Sequence, residues 1–199
     1  ALFEEGSSFG KGTYRTQIDN NGDNAGPALH AYYQIMELSS MMLKYYEYTG
    51  DSAFLKDEAI PMAQAGLNFY YQNFSRDLSG KLNMYPTDGL ETYYNTTNSL
   101  VEVAAIRENL QMLLDLPVSE TTAAQRAQWE EMLSAAPDIP TRLNSDGQEM
   151  LSPAETYDHL PRNVENPELY AIFPFELYGL GRPDLAFATR AFDSRLNTA

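Results

Sequence analysis

Residues 85–115, YPTDGLETYYNTTNSLVEVAAIRENLQMLLD, change character partway along. The first part is polar and aromatic, with Pro86 and Gly89 as breakers of regular structure. The second part repeats apolar residues at helical spacing, with Val103, Ile106, Leu110, Leu113 and Leu114 on one face. The spacing predicts a helix over 98–115. It is entered from a loop over 77–97 with short strand character before residue 90. Glu91 stands in that loop, between Gly89-Leu90 and the aromatic pair Tyr93-Tyr94. No helix period or cap position asks for a carboxylate there.

The same pattern extends outward. Ile35, Met36, Ser39, Met42, Leu43 and Tyr46 predict a helix over 28–48, ended by Gly50. Asp51 is the expected cap of the next helix, which Pro61 should kink or restart before it ends near 75. Ser119, Glu120 and Thr122 begin a fourth helix, to about 136, with Trp129, Met132 and Leu133 inward. Residues 137–165 read as a long loop. A fifth helix is expected from Pro167 to the break at Gly179 and Gly181, and a sixth from Pro183 with Leu185, Ala188 and Phe192 inward. Residues 1–27 are irregular, rich in Gly, Asn and Asp. Short turns and long loops therefore alternate, the pattern of helical hairpins with functional loops gathered at one end. The expected fold class is all-α, in antiparallel helical hairpins.

Composition narrows the function. The 199 residues suffice for one domain, and 43% hydrophobic content argues against disorder. Acidic residues outnumber basic ones 28 to 13, a net charge of −15, so nucleic acid is not an expected partner. No run of apolar residues is long enough to span a membrane. The 14 tyrosines suit either the packing of large helices or a cleft that must be apolar and still hydrogen-bond. There is no cysteine, which removes thiol nucleophiles and Cys-ligated zinc and fits an exported protein, periplasmic or extracellular. The opening ALFEEGSSFG has no signal-like character and reads as the interior of a longer chain.

Four clusters hold the candidate chemistry. The first offers Asn24 and His30. The second offers Asp88, Glu91, Tyr93, Tyr94, Asn95, Asn98 and Glu102. The third offers Glu149, Glu155, Asp158 and His159, and the fourth Glu165, Asn166 and Glu168. Local rules explain several of these without function. Asn98 fits a helix cap, Glu102 and Glu168 fit first-turn acids, and His30 fits a helix face. Carboxylates beside Tyr and Asn are what glycoside hydrolysis uses. One carboxyl protonates the leaving oxygen, and a second activates water or attacks the anomeric carbon. Other chemistries lack their signatures. No Gly-rich phosphate loop, HExxH helix or nucleophile elbow is present, and DNNGDN lacks the closing Glu of a calcium loop. No metal or cofactor is expected.

The order of elements over residues 20–195 resembles the six-hairpin, (α/α)6-toroid glycosidases, most like bacterial proteins related to family 95 glycoside hydrolases. KYYEYTGDSAFLKDEAIPMAQAGLNFY looks like their second hairpin, and YPTDGLETYYNTTNSLVEVAAI like their acid-bearing loop and following helix. RAQWEEMLSAAPDIP and GRPDLAFATRAFDSR resemble later barrel helices. ENPELYAIFPFELYGLG stands where the fucosidases of that group carry a His-rich motif, which this chain lacks. The resemblance implies Glu91 as general acid. Asn21 or Asn24, with Glu155 or Asp158, would activate water. Beside what the resemblance implies, Asn24, His30, Tyr93, Tyr94, Asn98, His159, Glu165, Asn166 and Glu168 are the candidates for binding substrate. The resemblance also implies half of a toroid, partnered by a missing N-terminal half. The expected function is hydrolysis of an oligo- or polysaccharide, with inversion. The alternatives are a non-catalytic module binding glycan or protein, and a polysaccharide lyase using Tyr94 and His159.

Overall fold

A computed structural model describes residues 30–195 of the chain. Four helices form its centre: α1 (Gln34–Thr49), α3 (Ile60–Asn73), α4 (Leu100–Asp115) and α5 (Ala123–Ala135). Three-residue α2 (Ser52–Phe54) and the π-helical turn Leu55–Ala59 lead into α3, and α6 (Leu185–Asp193) closes the described chain. Gly50 ends α1 at φ 67°, a left-handed conformation that costs glycine little. The Asp51 carboxylate accepts the Phe54 N–H at 3.0 Å, the expected cap. Pro61 does restart the helix. It has no N–H, and just before it the ladder widens so that the Ile60 N–H donates to the Leu55 carbonyl.

The all-α expectation, helical hairpins forming half of an (α/α)6 toroid, is wrong. The described residues are mixed α and β, with three small antiparallel sheets. Both long loops contain strands. The first, with two residues on either side of it, holds β1 (Ser75–Arg76) paired with β2 (Leu82–Asn83), and β3 (Thr87–Gly89) paired with β4 (Tyr93–Ser99). The second holds β5 (Thr141–Leu143) paired with β6 (Glu149–Leu151), and then β7 (Ala154–Thr156), which pairs with β4. The β4 run Tyr-Tyr-Asn-Thr-Thr is aromatic and β-branched, as a half-buried strand requires. Asn144-Ser145-Asp146-Gly147 is the hairpin turn between β5 and β6, with Gly147 at φ 75°.

The expected fifth helix is also absent. Pro167–Leu169 forms one 3-10 turn, and successive turns follow it to residue 181. Pro174 lies in the middle of that stretch. It would remove a helical hydrogen bond and clash with the preceding turn.

The core is made by the faces of α1, α3, α4 and α5. Leu43, Leu67, Ile106, Leu110 and Trp129 are all essentially inaccessible. The Trp129 indole N–H donates to Gln64 at 2.7 Å, which ties α5 to α3. Close approach of α1 and α3 needs Gly66. A Cβ there would lie 2.5 Å from the buried Met36 sulfur. Gly66→Ala is expected to destabilise the fold by about 1–3 kcal/mol, the usual overpacking range, read as a lower urea midpoint at unchanged slope. Leu100 begins α4 directly from β4, with its N–H donating to the Pro153 carbonyl at 2.8 Å. This junction sets the β3–β4 hairpin, and with it Glu91, at the end of the helical core.

Candidate functional site

The β3–β4 hairpin carries most of the candidate residues, and the segment 162–168 packs against it. Gly89 lies under Pro167 and Tyr93, with both side chains 3.5 Å from where its Cβ would be. Glu91 is half-buried at the hairpin turn. Its N–H donates to the Glu165 carboxylate at 2.8 Å, and its own carboxylate accepts the Asn163 amide at 3.0 Å. The Thr92 hydroxyl donates to the Glu165 carbonyl at 3.2 Å, and the Arg162 N–H to the Thr92 carbonyl at 2.9 Å. Glu91 and Glu165 are therefore held side by side by backbone geometry rather than by a counter-charge.

Asp88 anchors the hairpin from within. It is 1% exposed, and its carboxylate accepts the N–H groups of His30 at 2.8 Å and Asn95 at 2.9 Å. His30 Nδ1 lies 3.8 Å from the same carboxylate. Tyr94 is half-buried, and burial, followed by the negative charges of Glu91 and Asp88, raises its phenol above the usual range. Glu165 adds to this and Arg162 opposes it. The Arg162 guanidinium lies over the Tyr94 ring at 5.3 Å. Asp88, Glu91, Glu165, Tyr94 and His30 thus form one neighbourhood.

An open cavity of about 430 Å³ adjoins it, lined by Tyr94, Asn95, Thr156, Tyr157, Asp158, Leu160 and Arg162. Asp158 therefore faces the same tyrosine as Glu91. His159 is exposed, with its ring 4.5 Å from that of Tyr157, which in turn meets Tyr93 at 5.0 Å. Glu155 lies elsewhere. It stands opposite Asn98 across the β4–β7 ladder and accepts the Asn98 amide at 2.6 Å. Both line a second cavity of about 490 Å³ that also includes Asp77, Lys81 and Asp138. Asn98 is not a helix cap. Its carbonyl oxygen accepts the Met84 N–H at 2.9 Å, and it is 5% exposed.

The residues of the 164–168 stretch separate. Glu165 joins Glu91. Asn166 makes no side-chain cap bond to the 3-10 turn that it precedes. Glu168 is 2% exposed and points to the other side of the hairpin, near Tyr93 and Arg142. Burial raises its carboxyl above the usual range, and burial also pushes the Tyr93 phenol up to about 12, with Glu168 adding to it. Asn21 and Asn24 lie outside the described residues.

Two groups of the site, Arg162 and Asn163, carry no sequence signal of their own, and a third, Glu102, has a role beyond its expected place. Asn163 and Arg162 sit in a Pro- and Asn-rich stretch without periodicity, so only their nearness to Glu165 marked them. Glu102 is a first-turn acid of α4, as expected, but not one placed there by the helix dipole alone. It is fully buried and accepts the Tyr32 N–H at 2.7 Å, the Tyr33 N–H at 3.2 Å and the Tyr70 hydroxyl. Its signal was present. A single acid interrupts the otherwise apolar run Leu100-Val101-Glu102-Val103-Ala104-Ala105-Ile106.

Among the described residues, no group of three His, Asp or Glu is arranged to hold a metal ion, and no helix is long and apolar enough to cross a membrane. A scan against protein-family models finds no match to this chain, and neither does a search of curated proteins.

Proposed function

We propose that this protein hydrolyses a glycosidic bond, with Glu91 as the proton donor and Asp158 as the second carboxylate. The observation that carries this reading is the setting of Glu91. Its half-buried carboxyl is held by Asn163, its N–H is bound to Glu165, and its negative charge acts on Tyr94, which lines the open cavity. The likeness of YPTDGLETYYN to the acid-bearing loop of the family 95-related glycosidases supports the same residue.

The steps follow from the groups. Glu91 gives its proton to the glycosidic oxygen as the bond from that oxygen to the anomeric carbon breaks. A water attacks the anomeric carbon from the opposite face. Asp158 takes the proton of that water, so the configuration inverts. Glu155 is given no step, because it lines the other cavity, away from Tyr94.

The test is release of new reducing ends from cellotriose, maltotriose, xylotriose and galactotriose by the full chain. Cleavage of at least one is expected. Binding of a trisaccharide without cleavage would replace this reading with that of a glycan-binding module.

A further inference from the structure

The geometry points to the cavity beside Tyr94 as the subsite for one uncharged pyranose ring, with Asn95 and Arg162 reading its hydroxyls. This rests on the reading of Glu91 as a glycosidase acid and goes on to name where the ring sits and what it must be. The volume of about 430 Å³ is in the range of small-ligand sites. Its lining is divided. Tyr94, Tyr157 and Leu160 offer apolar surface suited to the C–H face of a sugar. Asn95, Asp158 and Arg162 offer planar hydrogen-bonding groups suited to paired hydroxyls.

Two features favour recognition by Asn95 and Arg162. Asn95 is exposed and held at φ 54°, with its N–H fixed on the buried Asp88. The anchored backbone sets the direction in which the Asn95 side chain leaves the strand. Arg162 is likewise anchored by its own N–H, on Thr92, while its guanidinium rests on Tyr94 and lines the cavity. Among the described residues, Arg162 makes no ion pair within 4.0 Å. Its donors therefore remain available to a hydroxyl oxygen.

Charge decides the class of sugar. Asp158 balances Arg162 inside the cavity, and the charges of Asp88, Glu91 and Glu165 all act on its Tyr94, on a chain of net charge −15. A uronate or sulfated sugar would be repelled, whereas a neutral ring is not.

The test uses the full chain carrying Glu91→Gln. It is titrated calorimetrically with the same neutral trisaccharides, and with trigalacturonate as the charged counterpart. At least one neutral trisaccharide is expected to bind. Adding Arg162→Ala or Asn95→Gly to that background should weaken it about tenfold, the loss of one good hydrogen bond, and trigalacturonate should not bind. Glycine keeps the positive φ at position 95, and unchanged melting temperatures verify folding. Neutral-sugar binding untouched by both substitutions overturns the subsite and leaves the Glu91 reading standing. So does an absence of binding while the unsubstituted chain still hydrolyses a trisaccharide. Binding of trigalacturonate overturns the neutral class. Neither binding nor hydrolysis overturns both.

Discussion

Glu102→Gln is expected to raise stability by about 1 kcal/mol at pH 5 and by about 3 kcal/mol at pH 8. Burial drives the Glu102 carboxyl up from 4.5 to about 7, and the neighbouring Asp88 adds to the rise. The hydrogen bonds from Tyr70, Tyr32 and Tyr33 hold it from rising further. Between pH 4.5 and 7 the folded protein keeps a proton there that the unfolded chain has released. The stability tied to that proton is complete below about 4.5 and is lost as the pH rises through 7. Glutamine is neutral at every pH. Its carbonyl can accept the Tyr32 and Tyr33 N–H groups, and its amide can donate to the Tyr70 oxygen. Glu102→Ala leaves those three donors without an acceptor and is expected to cost more than about 3 kcal/mol at pH 5. Urea midpoints of the three proteins at pH 5 and pH 8 check both statements. Equal pH dependence of Glu102→Gln and the unsubstituted chain would count against the buried titration.

Glu91→Gln is expected to lower the turnover of the cleaved trisaccharide by about 10²–10⁴-fold, the usual contribution of a general acid. The loss should fall on turnover rather than on folding. Glu91 is half-buried, and its carboxyl accepts from Asn163 a bond that the glutamine oxygen can also accept. The Glu91 N–H that binds Glu165 belongs to the backbone and survives the change. Melting temperature should therefore be unaltered. A fall in turnover of less than about threefold would remove Glu91 from the reaction, because such a factor lies far below general-acid catalysis.

The helical half of the fold was legible in the sequence, because burial of one helix face leaves a period. The helix expected over 98–115 is Leu100–Asp115, and the Gly50-Asp51 break falls where it was expected. The strands were harder, since each is short and pairs with residues distant in sequence. Ser99 pairs with Ala154, a contact that no local pattern announces. The hairpin at 144–147 did carry a local signal, Asp146-Gly147, masked by the reading of 137–165 as one loop. The apolar stretch after Pro167 was over-read. Its composition matched a buried helix, but Pro174 alone rules out a continuous one.

The candidate site was legible where a residue lacked a structural reason to be present. Glu91 had none, and it sits at the centre of the neighbourhood. Sequence order could not sort the remaining acids. Glu165 and Glu168 are three residues apart, yet one joins Glu91 and the other is buried near Arg142. Glu155 and Asp158 divide in the same way between two cavities. For Glu155 the deciding fact is the pairing of β4 with β7, which sets it opposite Asn98.

The central claim is that Glu91 protonates a leaving oxygen, and a comparison of leaving groups tests it most directly. The full chain and Glu91→Gln are assayed on the cleaved trisaccharide and on the dinitrophenyl glycoside of the same sugar. Dinitrophenolate departs without a proton, so the account predicts that Glu91→Gln loses about 10²–10⁴-fold on the trisaccharide and stays within about threefold of the unsubstituted chain on the dinitrophenyl glycoside. Equal losses on both substrates, or none on either, would contradict it.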